Sequence, residues 1–343
     1  MAKANIGLIG AGMIGDVHID RIRQDGRGEV TWIAARTEKT LTEKLKKHGI
    51  KNGTPDYRDM LADKSVDAVI IASPPFTHYE MLKDSLEAGK HVLLEKPMAV
   101  NRDEMNKVVE IVEKYPDRIV VECSCRHARL QPKFRFVKKM IDDGKLGKVY
   151  HIHHNHLMRG TFIEYNPAGS WALKKELAGG GPFFDWGVYD LSFHLGVLGD
   201  VPQIQSVKSF TRDGLKVFPE PGTESDIEEH GAAYLEFDSD LTYYYERGSG
   251  VHFEADNETR IFGTKGSIRF AFCSWDPVQL DYFYIENGRE KKETLEIDMS
   301  EHTEDNTEMA VHFLDCLLEG AQPQMTVQLA AKHLDILLKI LGG

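Results

Sequence analysis

One glycine spacing near the start of the chain limits its fold more than any other feature. Residues 7–15 read GLIGAGMIG, which sets Gly10, Gly12 and Gly15 in the pattern G-x-G-x-x-G. The spacing alone is weak, because three glycines fall this way by chance in many chains. Here an apolar run at 6–9 predicts a strand before the glycines, and residues 12–23 predict a helix that begins inside them. In that context Gly10 permits a tight turn, Gly12 lets the backbone approach a pyrophosphate, and Gly15 lets helix and strand pack closely. The helix start, with Met13 and Ile14 in its first turn, offers N–H groups and a positive dipole end to phosphate oxygens. The stretch therefore predicts a bound dinucleotide.

The following hundred residues keep the alternation. Strand-like runs at 30–35, 66–72, 91–94 and 119–123 are separated by helical patterns at 38–48, 77–88 and 103–114. Short β-rich runs joined by helices imply parallel strands with crossovers on both faces of a sheet. After residue 147 the rhythm changes. Runs at 149–157, 204–210, 232–237, 241–247, 259–262, 267–272 and 279–284 follow one another, with turns such as DSD (238–240) and GTKG (263–266) between them. A helix at 183–198 crosses this region, and the segments MAVHFLDCLL and LAAKHLDILLKIL return to helical spacing. The expected fold is α/β, with an N-terminal doubly wound Rossmann domain over 1–122. A C-terminal α+β domain over 123–343 would hold a large open, mainly antiparallel sheet, and the last helices could pack back on the first domain. A chain of 343 residues, 41% of them hydrophobic, suffices for two cores.

Composition narrows the partners. A net charge of -12 offers no basic surface to nucleic acid or to an anionic membrane. No apolar run approaches the ~20 residues a bilayer crossing needs, and MAKANIGLIG has no leader pattern. Cys123, Cys125, Cys273 and Cys316 are too scattered for a disulfide scaffold, and they read as buried small residues in a reducing compartment. Cys123 and Cys125 are expected on one side of a strand. A soluble cytoplasmic protein is the expectation.

At the end of the second strand an NAD site usually carries Asp or Glu for the ribose hydroxyls. This chain has Ala35, Arg36 and Thr37 there. A small residue leaves room for a 2′-phosphate, Arg36 can pair with it or stack on adenine, and Thr37 can donate a hydrogen bond. NADP is therefore favoured over NAD, although Glu38 could serve as a displaced ribose acid.

Two further stretches, ASPPFTHYE (72–80) and LLEKPMAV (93–100), lie at C-terminal strand ends, where open α/β sheets bind ligands. They bring Ser73, Pro74, His78, Glu95 and Lys96 toward the cofactor cleft. GGGPFFDWGVYD (179–190) opens the later helix. Together with HARLQP (127–132), IDDGKLGKV (141–149) and FGTKGS (262–267), these stretches make the chain resemble the glucose-fructose oxidoreductase / inositol dehydrogenase / rhizopine-catabolism family over nearly its full length.

The resemblance implies that Lys96 is the E-K-P lysine beside the nicotinamide and the reacting hydroxyl. A lysine suits that place on physical grounds as well. Its ammonium is disfavoured next to a positively charged ring, so it can take up and release the hydroxyl proton. Asp185 and Tyr189 are four apart on one helix and so share a face. By resemblance Asp185 is the family's motif aspartate, and Tyr189 stands where most inositol dehydrogenase-like members have histidine. Ser192 replaces a following aspartate. The tyrosine version resembles the glucose-fructose oxidoreductase, dihydrodiol dehydrogenase and anhydrofructose reductase branch, in which a tyrosine beside a lysine can act as general acid.

Arg129, His154, His156, Arg159, Trp171 and Trp186 are candidates to shape the substrate pocket, with the loop at 160–171. Strand alternation sets His151 and His153 on one face and His154 and His156 on the other, so no metal site is expected. The leading expectation is an NAD(P)-dependent oxidoreductase acting on a hydroxyl or carbonyl carbon of a sugar, cyclitol or sugar derivative. One alternative is a glycosidase that keeps its dinucleotide and works by oxidation, elimination and reduction. Another is a non-enzymatic dinucleotide-sensing regulator, which the intact Lys96 disfavours. An open sheet covered by helix on one face should bury its other face in a homodimer or homotetramer.

Overall fold

Each apolar run of the first third becomes a strand of one parallel sheet. The structure is a computed structural model that describes residues 3–160, 170–200, 202–213, 224–253 and 255–342. The expected pocket loop at 160–171 falls for the most part, at 161–169, outside the described residues. Two units emerge, one of 1–126 with 303–332 and the other of 127–302 with 333–343.

The first unit holds strands β1 (Ala4–Ile9), β2 (Gly28–Ala34), β3 (Asn52–Thr54), β4 (Ala68–Ile71), β5 (His91–Leu94) and β6 (Val120–Glu122), in the order β3-β2-β1-β4-β5-β6. All five pairings are parallel. β4 is buried along its whole length, as expected of a strand with both faces covered. The chain direction of build-up reverses between β1 and β4, which opens a crevice at the carboxyl ends. Register lines those ends up: Ala34 beside Ile9, Ile9 beside Ile71, Ile71 beside Leu94, and Leu94 beside Glu122. The residues that follow therefore share one edge.

Helices α1 (Met13–Asp25), α2 (Glu38–His48), α3 (Tyr57–Leu61), α4 (His78–Glu87) and α5 (Arg102–Glu113) make the crossovers. Thr37 caps α2 by accepting from the Thr40 N–H, and Asn101 caps α5 by accepting from the Glu104 N–H. The three-residue β3 and five-residue α3 are too short for a periodic signal. The run at 119–123 ends as a strand at Glu122, and Cys123–Cys125 form a tight helical turn instead of continuing on one face.

In the second unit, α6 (Pro132–Asp142) comes before the sheet strands β7 (Val149–Leu157), β8 (Ile204–Arg212), β9 (His230–Phe237), β10 (Thr242–Gly248), β11 (Glu258–Gly263), β12 (Gly266–Phe270), β13 (Gln279–Glu286) and β14 (Arg289–Glu296). Their order is β14-β13-β12-β11-β7-β10-β9-β8, antiparallel except for the β7–β10 pair. The edge strand β14, REKKETLE, was not legible because it has no apolar alternation. Its charges suit an exposed sheet edge.

Helix α7 (Pro182–Gly196) is buried nearly all round. The inner sheet face includes Ile152, Leu235, Tyr243, Tyr245 and Ile261, all fully buried. The outer face keeps Phe210, Tyr234, Phe283 and Ile285 exposed. Helix α8 (Asp305–Glu319) packs on α1, where Arg27 pairs with Asp315 at 2.7 Å and Glu319 at 2.6 Å. Helix α9 (Val327–Ile340) ends the described chain.

Candidate active site

The glycines do three different things. Gly10 has φ +100°, and a Cβ there would lie 2.6 Å from the backbone of Ala72, so the turn after β1 is pressed against the end of β4. A Cβ on Gly15 would meet the Gly10 carbonyl oxygen at 2.4 Å. Gly12 differs, because a Cβ there would meet nothing within 4 Å. Among the described residues nothing forbids a side chain at Gly12; a ligand brought close to the backbone would. Gly12 caps α1 without any side-chain hydrogen bond, and Met13 in the first turn is 85% exposed. The helix start thus keeps N–H groups and positive dipole for an anion, and these residues fit a dinucleotide's pyrophosphate.

Along the same edge, Ala35 is buried and its N–H donates to the Thr54 carbonyl at 3.1 Å. Arg36 is exposed and, among the described residues, has no ion pair or hydrogen bond. Thr37 donates its hydroxyl to Thr40 at 2.9 Å while capping α2. No carboxylate stands between Ala34 and Thr37. Past β4, the Ser73 hydroxyl lies 2.7 Å from that of Thr77, which donates to the Pro74 carbonyl at 2.7 Å.

Past β5 comes a buried ionic knot. Burial alone would raise the Glu95 carboxyl, but the Arg126 guanidinium and the His18 ring hold it well below the usual carboxylate range. His18 Nε2 is 2.7 Å from Glu95, Arg126 pairs with the same carboxylate oxygen, and the Lys96 N–H donates to the other at 3.2 Å. Lys96 itself is half-buried, and its peptide bond to Pro97 is cis. Next to this knot, Glu122 is fully buried, and burial pushes its carboxyl up to about 7.

In the second unit, α7 starts at Gly181, where a Cβ would lie 2.0 Å from the Glu228 carbonyl oxygen. The buried Glu228 carboxylate accepts from the N–H groups of Gly181 at 2.8 Å and Phe184 at 3.2 Å, so this helix start is already capped. Asp185 and Trp186 are the half-buried residues of an otherwise buried helix. One turn on, Tyr189 is 1% exposed. Its ring lies 4.8 Å from that of His127 and 5.4 Å from that of Trp186.

Beneath this helix runs a buried polar network. Asp190 accepts from Arg247 through both oxygens, at 2.7 and 2.8 Å, and from the Tyr245 hydroxyl at 2.6 Å. Burial would raise Asp190, but Arg247 outweighs it and keeps the carboxylate ionised. His194 joins Tyr243 at 2.7 Å and Thr259 at 2.9 Å, and Thr259 also meets His154 at 2.9 Å. Arg247 lies 5.2 Å above the Trp186 ring, which ties the network to the aromatic cluster.

Residues 4–123 match the model of an oxidoreductase family with an NAD-binding Rossmann fold, GFO_IDH_MocA, and residues 134–269 match the GFO/IDH/MocA C-terminal domain. The chain belongs to the GFO/IDH/MocA oxidoreductase family. It is 26% identical over 263 residues to the myo-inositol 2-dehydrogenase of Thermotoga maritima, covering 77% of this chain and 74% of that one. It is also 26% identical over 272 residues to the NADP(+) D-xylose 1-dehydrogenase of Haloarcula marismortui, with 78% and 69% covered. In fold it is similar to a levoglucosan dehydrogenase solved in complex with NADH and levoglucosan, with a TM-score of 0.85 at 20% identity, covering 99% of this chain and 96% of that one.

Within this GFO/IDH/MocA chain several expected contacts lie elsewhere. His78 does not line the cleft: it is fully buried, with Nδ1 3.0 Å from the Pro97 carbonyl and Nε2 2.9 Å from the Ser73 carbonyl. It braces the turns that hold Ser73 and Lys96, and burial pushes its pKa down. The Glu95 side chain is likewise enclosed in the ionic knot. Arg129 is buried too, donating to Ser192 at 3.2 Å and to Asp200 at 2.5 Å, so it joins elements of the second unit rather than facing a pocket. His154 belongs to the buried network. His156 is half-buried, held near a pKa of about 4 by burial and then by Arg247, while Arg159 and Trp171 are exposed.

Sequence reasoning missed His18, Arg126, Asp190 and Arg247. His18 carried a faint signal, a polar residue on the apolar face of α1. The other three carried none, because their partners are distant in sequence.

Proposed function

We propose that this family member is an NAD(P)-dependent dehydrogenase or reductase that acts on a CH–OH or carbonyl carbon of a sugar, cyclitol or sugar derivative. The carrying observation lies within the first unit. Lys96 stands two residues past Leu94, on the same strand-end edge as the uncapped helix start that follows Ile9. The activities named for the inositol and xylose dehydrogenases support the substrate class.

The bound dinucleotide would supply the hydride acceptor or donor. Gly12, Met13 and Ile14 would hold its phosphates through backbone N–H groups, with Gly10 and Gly15 shaping the turn beneath. Ser73, Pro74 and the backbone at Glu95 would border it along the strand ends. Lys96 takes the hydroxyl proton in oxidation and returns it in reduction. Asp185 binds a substrate hydroxyl, and Tyr189 supplies a second proton-bearing group on the same helix face.

The absence of an acid between Ala34 and Thr37, together with the exposed Arg36, favours NADP over NAD. A thermal-shift titration with each dinucleotide, followed by nicotinamide absorbance with a panel of sugars and polyols, tests the reading. Failure of both dinucleotides to raise the melting temperature would refute it.

A dimer or tetramer through the outer sheet face fits the aromatic and aliphatic side chains left exposed there, Phe210, Tyr234, Phe283 and Ile285. Light scattering should then give two or four times the mass of one chain, and a monomer at micromolar concentration would contradict the assembly. No helix among the described residues is long and apolar enough to cross a membrane. The four cysteines are buried and form no disulfide among the described residues, which fits a cytoplasmic setting.

A further inference from the structure

Trp275 presents a problem of placement. The residue is 59% exposed, yet the loop that carries it is held by hydrogen bonds on both sides. The cause is Lys133, whose side chain is wholly buried. Lys133 Nζ donates to the carbonyls of Ala271 at 2.9 Å, Cys273 at 2.6 Å, Asp276 at 3.1 Å and Pro277 at 3.0 Å. An ammonium has three N–H groups, and four carbonyls from one short loop surround it. Burying that charge is costly unless it is so fully solvated by the chain. The loop is gathered around the lysine on both sides of Trp275, and the indole is left in solvent.

The exposed ring also has a specific neighbour set. Trp275 stands edge-on to His127, at 5.4 Å and 79°, and edge-on to Trp186, at 6.0 Å and 80°. Trp186 stacks on His127 at 5.8 Å and 24°. Two indoles therefore meet at a right angle, with Tyr189 at the buried end of the same ring cluster and Trp275 at its wet end. Asp185 lies one residue before Trp186. Arg247 fixes the Trp186 ring from within the network below.

We propose that this corner of Trp186 and Trp275 is a stacking subsite for the C–H face of a six-membered polyhydroxylated ring, and that it selects cyclic sugars or cyclitols over open-chain polyols. Such a ring is amphipathic: axial C–H bonds gather on a face, and hydroxyls point from its rim. A rigid indole desolvates the first while a carboxylate such as Asp185 meets the second. An open-chain polyol has no preformed apolar face and would lose rotor entropy on binding. The inference rests on the dehydrogenase reading, because it assigns the substrate of that same site.

The test uses the full chain saturated with whichever dinucleotide shifts its melting temperature. D-Glucose and myo-inositol serve as cyclic probes, and D-sorbitol as the open-chain control. Saturation of aromatic protons should transfer to the C–H protons of at least one cyclic probe and not to D-sorbitol. Trp275→Ala should retain the parent melting temperature, weaken that probe about three- to tenfold, and raise KM by the same factor with kcat within about twofold. Trp275→Phe should recover most of the loss. Equal binding by Trp275→Ala and the parent, equal transfer to D-sorbitol, or no transfer to either cyclic probe would each overturn the subsite. Hydride transfer with an unmoved KM in Trp275→Ala would sink the subsite and spare the dehydrogenase. Ring binding without hydride transfer to any dinucleotide would do the reverse.

Discussion

Gly10 and Gly12 look equivalent in the sequence and are not equivalent in the molecule. Gly10→Ala meets a positive φ and the Ala72 backbone at 2.6 Å, so it should cost at least about 1–3 kcal/mol of stability. Gly12→Ala meets no atom of the described residues within 4 Å, so its melting temperature should barely move. Its dinucleotide affinity should fall by about tenfold or more, because the added methyl occupies the pyrophosphate approach. Calorimetric titration beside thermal melting separates the two effects, and a Gly12→Ala protein that binds like the parent would remove the phosphate reading of that turn. Lys96→Ala should lower kcat by roughly 10²–10⁴-fold while the dinucleotide still binds within a few-fold of the parent. Tyr189→Phe keeps the ring against His127 and Trp186 and removes one oxygen. A kcat loss at unchanged melting temperature would mark that oxygen as part of the chemistry, and unchanged kcat would make Tyr189 a core residue.

At the scale of elements, helix α7 is held at both its start and its middle by residues from other elements. Glu228 caps it, and Asp190 ties it to Arg247 on β10. Removing a single partner of a buried ion pair leaves the other charge without compensation. Asp190→Ala should therefore cost about 3–5 kcal/mol, whereas Asp190→Leu combined with Arg247→Met should cost clearly less. Urea denaturation followed by tryptophan fluorescence measures both. A single variant within about 1 kcal/mol of the parent would mean that the pair does not anchor the helix. The helix itself was legible at 183–198, since Pro182–Gly196 is what forms. Its cap and anchor were not legible, because Glu228 and Arg247 lie 47 and 57 residues from their partners.

Across the whole molecule, individual buried titratable groups respond to pH in opposite senses. His154 and His194 are buried as neutral rings, His194 with a pKa lowered by burial from 6.5 to about 4. Above pH 6.5 folded and unfolded chains agree in charge at these sites, and the stabilisation is complete. Below it the unfolded chain binds protons that the folded one excludes, so stability falls as pH drops from 6.5 toward 4. Glu122 acts the other way in the first unit. Its carboxyl is neutral in both states below pH 4.5, and between 4.5 and about 7 only the unfolded chain ionises, so it erodes stability as pH rises. The melting temperature of Glu122→Gln relative to the parent should climb through that window and level off above it. A flat difference from pH 4.5 to 7 would show that burial does not hold the proton.

A family resemblance marked the E-K-P lysine, whereas the sequence by itself determined the parallel order of helices and strands, the glycine turn and the shared face of Asp185 and Tyr189. All of these are read over spans of a few residues, where periodicity and turn chemistry act directly on the backbone. Tertiary structure alone decided which polar residues face inward. Glu95 meets Arg126 across 31 residues, Arg129 meets Asp200 across 71, and Lys133 gathers carbonyls from 138 residues away and beyond. Burial turns such residues from candidate ligands into internal braces. A buried charge must find its partner wherever the fold brings one, and local spacing holds no record of that meeting.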